Sequence, residues 1–445
     1  MKYDVLVIGA GPAGTIAASN LAGSGLETLL VDAKPKEEIG KKVCGNALGG
    51  QHLETIGIPD LPDYTYYQRV KGIRLYSPNL KASLNLELEG THGYMLDRKE
   101  FGSYLLNRAR NQGAEFLDNH KAEISLSSGI VVGGKKIKAD MTLVASGMSN
   151  FSRNIKELSS FQTDKNKETV IAFRQILKLK PKDMDTKYLM IHLNQEIAPV
   201  GYCWTFPMYE TDDSVVANVG IGMAKQENPM IKQRLENYKE LLPDIFSGSE
   251  VLESGGGEVP ISHPQETLVG LDKHLKPNGI LLAGDAGNTV SPIHDGGIGS
   301  SMKAGKAAAE AMILTHETGE LDNLFTYNSG YLDAYGYKQV KQLMLMKQIR
   351  KSNNHEIDAA MCGGIIKDED IEKISMGQEL KIPTFDKIRR GVRAKFRKDG
   401  IFAAKKLLKA NRLVKEITEL YEEYPAAPVA LPYWISKLDN LLERA

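Results

Sequence analysis

Gly9, Gly11 and Gly14, followed one strand later by Asp32, have the types and spacing that hold a dinucleotide. The first glycine permits a tight turn, the second lets a pyrophosphate approach the backbone, and the third lets a helix pack on a strand. Ala13 falls within the same turn, where the opening helix offers free N–H groups and its positive dipole end to phosphate. Asp32 stands where a carboxylate accepts hydrogen bonds from ribose hydroxyls. A glycine-rich turn without a ligand is the plainer reading, and the register of strand, helix and acid weighs against it. A second turn, GDAGNTVSPIHDGGIG at 284–299, closes the apolar run GILLA at 279–283. Asp285 sits at that strand end, the position that holds the ribityl chain in flavoproteins of this two-part type. Gly296, Gly297, Ile298 and Gly299 open a helix whose N–H groups face a flavin's pyrimidine edge and stabilise charge on the reduced ring. A tight turn with a capping aspartate is the alternative, although the glycine cluster that follows is hard to explain that way. The two motifs, separated by most of the chain, together point to FAD.

Other chemistry lies between and beyond them. Cys44 sits in a glycine- and lysine-rich loop, KPKEEIGKKVCGNALGG at 34–50, preceded by Lys41 and Lys42. Nearby cations lower a thiol's pKa and suit a functional role; a small buried hydrophobe is what a lone cysteine otherwise is. In PVGYCWTFP at 199–207, a period of two points Tyr202, Trp204 and Phe206 to one face of an extended segment. That face is either an aromatic wall suited to a flat polyene or an aromatic core strip under a sheet. Cys203, by the same alternation, points away and packs. His294, between Pro292 and the glycine cluster, is placed equally well to donate a proton or to hydrogen-bond its own loop. Arg98, at a helix start, reaches either a flavin phosphate or solvent.

These residues need elements to hold them. Residues 3–8 form an apolar strand, Gly9–Gly14 turn into a helix running to about Ala22, and 28–32 form a second strand, a βαβ unit of the expected size. Alternating runs at 70–90 and over 168–222 read as antiparallel strands with one solvated face. Residues 97–112 have helical apolar spacing with Asp97 as cap. A helix follows the second flavin motif, and from about 325 onward the chain is helical and lysine-rich. The fold class is therefore α/β with α+β insertions. A Rossmann-type FAD-binding domain comprises 1–60, 92–158 and 265–320, an antiparallel-sheet substrate domain 61–91 and 159–264, and a helical C-terminal domain 321–445.

Composition sets limits. Lys+Arg 56 against Asp+Glu 56 leaves no net charge, so nucleic acid and acidic polymers are not indicated as partners. Three cysteines argue against a disulfide framework and for a reducing compartment. No residues have metal-ligand spacing, the N-terminus carries no leader pattern, and no apolar run reaches the roughly 18 residues of a membrane span. The expected location is the cytoplasm, or the cytoplasmic face of the membrane. Over 387–415, Lys387, Arg389, Arg390, Arg393, Lys395, Arg397, Lys398, Lys405, Lys406, Lys409, Arg412 and Lys415 are opposed only by Asp399. With apolar Ile401, Phe402, Leu407, Leu408, Val414 and Ile417, the stretch suits docking on anionic lipid, or is a solvated face balancing acidic 416–423.

VLVIGAGPAG, KKVCGNA, DRKEF, GYCWTFP and GDAGNTVSPIHDGGIGSSMKAG together resemble the geranylgeranyl reductase family, most of all its archaeal branch acting on membrane ether lipids. The resemblance spans essentially the whole chain and implies a p-hydroxybenzoate-hydroxylase-like fold. It further implies that Cys44 and Gly45 form a loop beside the flavin, that Tyr202 and Trp204 line an isoprenoid tunnel, and that Ala122 joins the flavin-contacting set. Asn46 departs from the aspartate expected there, which leaves open whether the position relays protons. The implied reaction saturates double bonds of geranylgeranyl chains, by hydride from reduced flavin and protonation of the adjacent carbon. The electron donor, NAD(P)H or ferredoxin, is not indicated. A monooxygenase on the same scaffold, or a flavin-containing lipid-binding protein, is the alternative; the Trp-x-Trp-x-Ile segment common in halogenases is absent.

Overall fold

Val5–Ile8 is buried on both faces, as a central parallel strand must be, and it lies at the heart of a six-stranded sheet. The order is Leu268–Val269, Gly279–Leu282, Lys138–Val144, Lys2–Ile8, Thr28–Val31, Glu115–Leu117, parallel except for the first edge strand. The computed structural model describes residues 2–87, 92–125, 129–151, 168–180, 184–225, 230–261, 268–269, 279–376, 378, 384–395 and 399–445. The strand Gly279–Leu282 is separated from Lys2–Ile8 by a single strand, so the two glycine motifs leave the same edge of the sheet one strand apart. Their helices, Pro12–Gly23 and Ile298–Thr318, pack directly: a Cβ on Gly305 would lie 2.2 Å from the Ala13 carbonyl oxygen. That close approach, built from glycine and alanine, joins distant stretches of chain into one unit.

The second large sheet is almost wholly antiparallel, in the order Glu250–Ile261, Glu168–Leu179, Val215–Ala224, Tyr202–Glu210, Tyr188–His192, Gly72–Tyr76, Ser83–Glu87. Only Tyr188–His192 and Gly72–Tyr76 run parallel. Its outer face packs Leu177, Cys203, Val219 and Ile221 beneath the helix Ile231–Leu241, where Leu235 and Tyr238 are fully buried. Cys203 therefore only packs, and burial pushes its thiol pKa up. The inner face carries Ile176, Leu189, Ile191, Tyr202, Trp204 and Phe206. Val70 and Met95, from a small sheet of Ala47–Gly49, Gly93–Leu96 and Tyr66–Val70, pack against that face.

The C-terminal part is helical, and the basic stretch is divided there. Thr384–Lys395 and Gly400–Glu422 are separate helices, while Arg397, Lys398 and the side chain of Lys387 lie outside the described residues. Arg390 is a buried clamp between Asp370 and Asp386, and Lys406 pairs with buried Glu356, so neither belongs to an open cationic face. Val414 and Ile417 turn into the core, whereas Ile401, Phe402 and Leu408 are 45%, 58% and 63% exposed. Among the described residues, no helix is long and apolar enough to cross a membrane.

Candidate functional site

A single cavity of about 900 Å³ runs from the N-terminal glycine turn to the inner face of the antiparallel sheet. That volume lies near the top of the range for small-molecule and cofactor sites. Gly9 has φ +107°, and a Cβ there would sit 2.4 Å from the Ala145 carbonyl oxygen. Gly14 faces inward, where a Cβ would fall 1.8 Å from the Gly9 carbonyl oxygen, so it is a packing position rather than a ligand contact. Gly11 does the reverse: a Cβ would meet nothing within 4 Å and would project into the cavity beside Ala13. The helix behind it starts at Pro12 with no side-chain cap, leaving its first N–H groups directed at the cavity. Asp32 is fixed by N–H donors from Ala10 (2.7 Å) and Lys34 (2.8 Å), and it presents its carboxylate at the strand end. These features fit the diphosphate and ribose of FAD.

At the second motif, Asp285 accepts from the Lys42 ammonium at 2.7 Å, and the carboxylate's charge raises the lysine pKa. Gly297 and Ile298 line the cavity at the uncapped start of the helix Ile298–Thr318. Ala122, the first residue of its strand, lines the cavity near the nucleotide turn's sheet.

The cation on the Cys44 thiol is Arg98, a contact the sequence did not indicate. Asp97 caps the helix Arg98–Asn111 by accepting from Lys99 and Glu100 N–H, which starts the helix at Arg98. Arg98 Nη1 donates to Cys44 Sγ at 2.9 Å, while Nε is buried without a partner. Lys42 is turned to Asp285 and Lys41 to Glu38 (3.8 Å), so neither lysine takes the contact position expected of it. The Cys44 thiol donates to Asn46 Oδ1 at 3.0 Å and accepts from Asn46 N–H at 3.3 Å. Asn46 holds φ +63°, a left-handed conformation that asparagine tolerates better than most residues.

The aromatic row is both wall and core. Tyr202, Trp204 and Phe206 are each over 90% buried, yet all three line the cavity. Trp204 Nε1 donates to Asn218 Oδ1 at 2.9 Å, and Asn218 Nδ2 donates to the Cys44 carbonyl at 2.8 Å. One asparagine thus ties the tryptophan to the cysteine loop. Gly45 packs on Phe206, its Cβ position 3.1 Å from the ring. Tyr202 Oη donates to the His294 carbonyl at 2.6 Å, so its hydroxyl proton is committed.

His294 is exposed on the cavity, with Nδ1 accepting from Gly296 N–H at 3.1 Å. Burial and the charge of Lys338 lower its pKa to about 4. A neutral imidazole that accepts from its own loop fits loop-holding better than proton donation. The sequence pattern gave no indication of Arg174 or Asp295. Arg174 is 6% exposed on the cavity face, bonded through Nη2 to Glu253 (2.7 Å), with Nε and Nη1 unpartnered. Asp295 Oδ1 is likewise buried and unpartnered. Neither has a sequence signal, because a lone arginine in an alternating strand and an aspartate beside glycines look like surface residues.

The family model for the geranylgeranyl reductase catalytic domain matches residues 169–259, the segment that supplies Arg174, the aromatic row and Asn218. A pyridine nucleotide-disulphide oxidoreductase model matches residues 3–192. The chain is 32% identical to the digeranylgeranylglycerophospholipid reductase of Sulfolobus acidocaldarius, over 99% of this chain and 98% of that one. The chain belongs to the geranylgeranyl reductase family. The relative of the same description from Methanosarcina acetivorans is 30% identical over 87% of this chain and 90% of its own length. A geranylgeranyl bacteriochlorophyll reductase-like structure from Thermoplasma acidophilum shares the family fold at TM-score 0.71, 23% identity and 99% coverage of both chains. The halogenase PltM superposes at TM-score 0.62 with 16% identity, covering 99% of this chain and 96% of its own, a likeness of fold alone.

Proposed function

We propose that this protein is an FAD-dependent reductase that saturates double bonds in the geranylgeranyl chains of archaeal ether lipids. The observation that carries the reading is the continuity of one cavity from the nucleotide turns to the apolar, aromatic sheet face, in a chain whose curated relatives are named for that reaction. FAD is held by the Gly9–Gly14 turn, Asp32, Arg98, Asp285 and the amides of Gly297 and Ile298; when bound and reduced it supplies the hydride. Everything else falls to the chain.

An isolated trisubstituted alkene has no carbonyl to take up charge, so protonation places positive charge on carbon. The faces of Trp204 and Phe206, whose rings lie 6.1 Å apart, stabilise such a cation and exclude water from it. Cys44 holds a proton in the thiol bonded to Asn46 Oδ1, and Arg98 Nη1 stabilises the thiolate left after its transfer. Asn46, an amide, positions that proton but does not relay it. Asn218 keeps the cysteine loop and Trp204 in fixed relation.

The test is anaerobic. Pre-reduced, FAD-loaded protein is mixed with digeranylgeranylglycerol phospholipid, and flavin reoxidation is followed together with product mass. Reoxidation with a gain of two hydrogens per double bond is expected. Product formation only on admitting oxygen would instead identify a hydroxylase. Cys44→Ala is expected to retain FAD and lose on the order of 10²-fold or more in rate, the usual scale for a general acid; an unchanged rate removes Cys44 from the mechanism.

The same reading carries two finer proposals. Electrons arrive from a separate donor, NAD(P)H or ferredoxin. The exposed Ile401, Phe402 and Leu408, set among Lys405 and Lys409, rest on the anionic membrane surface where the lipid substrate resides.

A further inference from the structure

Basic groups with no acid among them gather around Tyr335, where His52, His294 and Lys338 line the cavity and Lys303 stands next to that lining without being part of it. Lys303 Nζ and Lys338 Nζ lie 5.8 and 5.7 Å from the Tyr335 ring centroid, and the His52 ring lies 5.9 Å away. His294 completes the group from the flavin-side loop. Four separate chain segments converge here: the helices Ile298–Thr318, Tyr337–Ile349 and Gln51–Thr55, and the 288–297 loop. His52 is over 90% buried, pressed against Gly299, with Nδ1 lacking any partner. Among the described residues, the Ala334 carbonyl, at 3.4 Å, is the only hydrogen-bond acceptor that Lys303 reaches. Among the described residues, no carboxylate pairs with Lys303, Lys338 or His52. Asp295, the nearest acid in sequence to His294, turns to the sheet instead, its Oδ2 3.6 Å from the Cβ position of Gly222.

Two half-buried ammonium groups sharing one ring, without a counter-ion, are costly. The strain shows in each group: burial and mutual repulsion lower Lys338 to about 8 and hold His52 well below its usual range. An occupant bearing more than one negative charge relieves it, and a phosphate also offers acceptors to Lys338 and His52 at the cavity wall while its charge offsets that of Lys303. A bound flavin would gain only one delocalised charge on reduction, and the Gly297 and Ile298 N–H groups at the helix start would be the ones to face it. Lys303 is five residues beyond Ile298, roughly 7.5 Å further along the helix.

We propose that Lys338, Lys303 and His52 form the subsite for the substrate's phosphate group, carried by a prenyl diphosphate or a phosphoglycerol lipid. The proposal rests on the reductase reading for its substrate, and it adds a fixed end from which the prenyl chain is measured past the aromatic row.

The experiment begins with a titration that needs no turnover. Inorganic diphosphate is titrated calorimetrically into FAD-loaded wild type, Lys338→Met, Lys303→Met, Lys338→Arg and Arg174→Gln. At least tenfold weaker binding is expected in the two methionine variants, with affinity kept in Lys338→Arg and Arg174→Gln. Unchanged affinity in both methionine variants, an arginine variant as weak as Lys338→Met, or loss confined to Arg174→Gln each overturns the proposal. So does a shifted flavin midpoint potential in Lys338→Met with diphosphate affinity intact, which assigns the cluster to the flavin. Initial rates with geranylgeranyl diphosphate, digeranylgeranylglycerol phosphate and geranylgeraniol then separate the sources. In Lys338→Met the KM of one phosphorylated substrate relative to the alcohol is expected to rise at least tenfold, and that substrate is the source; an equal rise for all three overturns the assignment. If wild type reduces none of the three, the reductase reading fails, and the titration still decides the subsite.

Discussion

Asp295 lies on the flavin-side loop against Gly222, the cross-strand partner of Tyr202, with Oδ1 buried and unpartnered, and burial raises its pKa to about 6 against the opposing charge of Arg350. Its proton is bound more tightly in the folded state than in the unfolded one, where a carboxyl titrates near 3.9. The stabilisation is complete below about pH 4 and is lost as pH rises through 6. Above that the ionised, unpartnered carboxylate weakens the fold by on the order of 2–3 kcal/mol, since each tenfold change in proton affinity is worth about 1.4 kcal/mol. Asp295→Asn, which cannot ionise, is therefore expected to raise the melting temperature at pH 8 and to change it little at pH 5. A gain of the same size at both pH values would show that the carboxylate is not the cause. The residue also marks where sequence reading stops. Gly9, Gly11 and Asp32 were legible because a strand–turn–helix repeats the same local geometry wherever it occurs. Asp295, Arg174 and the Arg98–Cys44 contact arise from segments that meet only on folding, and local spacing carries no trace of such meetings.

Among the elements, the strands Tyr202–Glu210 and Val215–Ala224 place the chemistry, and their pairing depends on glycine at one position. Trp204 is directly opposite Gly220, and a Cβ on Gly220 would lie 2.3 Å from the indole Cζ2. The indole lies flat over a bare stretch of sheet, which lets Nε1 reach Asn218 and, through it, the cysteine loop. The period of two correctly put Tyr202, Trp204 and Phe206 on one face. It could not say that the face across from them is vacant, because that needs the cross-strand register. Gly220→Ala is expected to displace the indole, break the Asn218 bond and cost about 1–3 kcal/mol, the usual range for overpacking. With only two tryptophans in the chain, Trp204 fluorescence in a Trp434→Phe background reports the displacement directly. An unshifted emission maximum and an unchanged melting temperature would refute the packing account.

At the scale of the whole molecule, the substrate is insoluble and the protein offers no helix that could cross a bilayer, among the described residues. The basic stretch suited either a lipid-facing stripe or a solvated face, and folding divides it, since helical periodicity alone cannot tell which of two apolar arcs meets the core. Val414 and Ile417 pack inward and Arg390 is consumed by Asp370 and Asp386, leaving Ile401, Phe402 and Leu408 outward beside Lys405 and Lys409. Apolar side chains of this size, flanked by lysines, insert at the headgroup level of a membrane carrying negative charge. Each lysine near such a surface contributes about 1 kcal/mol, so Lys405→Gln with Lys409→Gln is expected to reduce partition onto phosphatidylglycerol vesicles roughly 30-fold. Phe402→Ser with Leu408→Ser should weaken binding in low and high salt alike, whereas the lysine pair should matter only in low salt, where charges are unscreened. Sedimentation with phosphatidylcholine vesicles supplies the contrast: equal binding of wild type to neutral and anionic vesicles would rule out the electrostatic part, and no vesicle binding at all would rule out the surface.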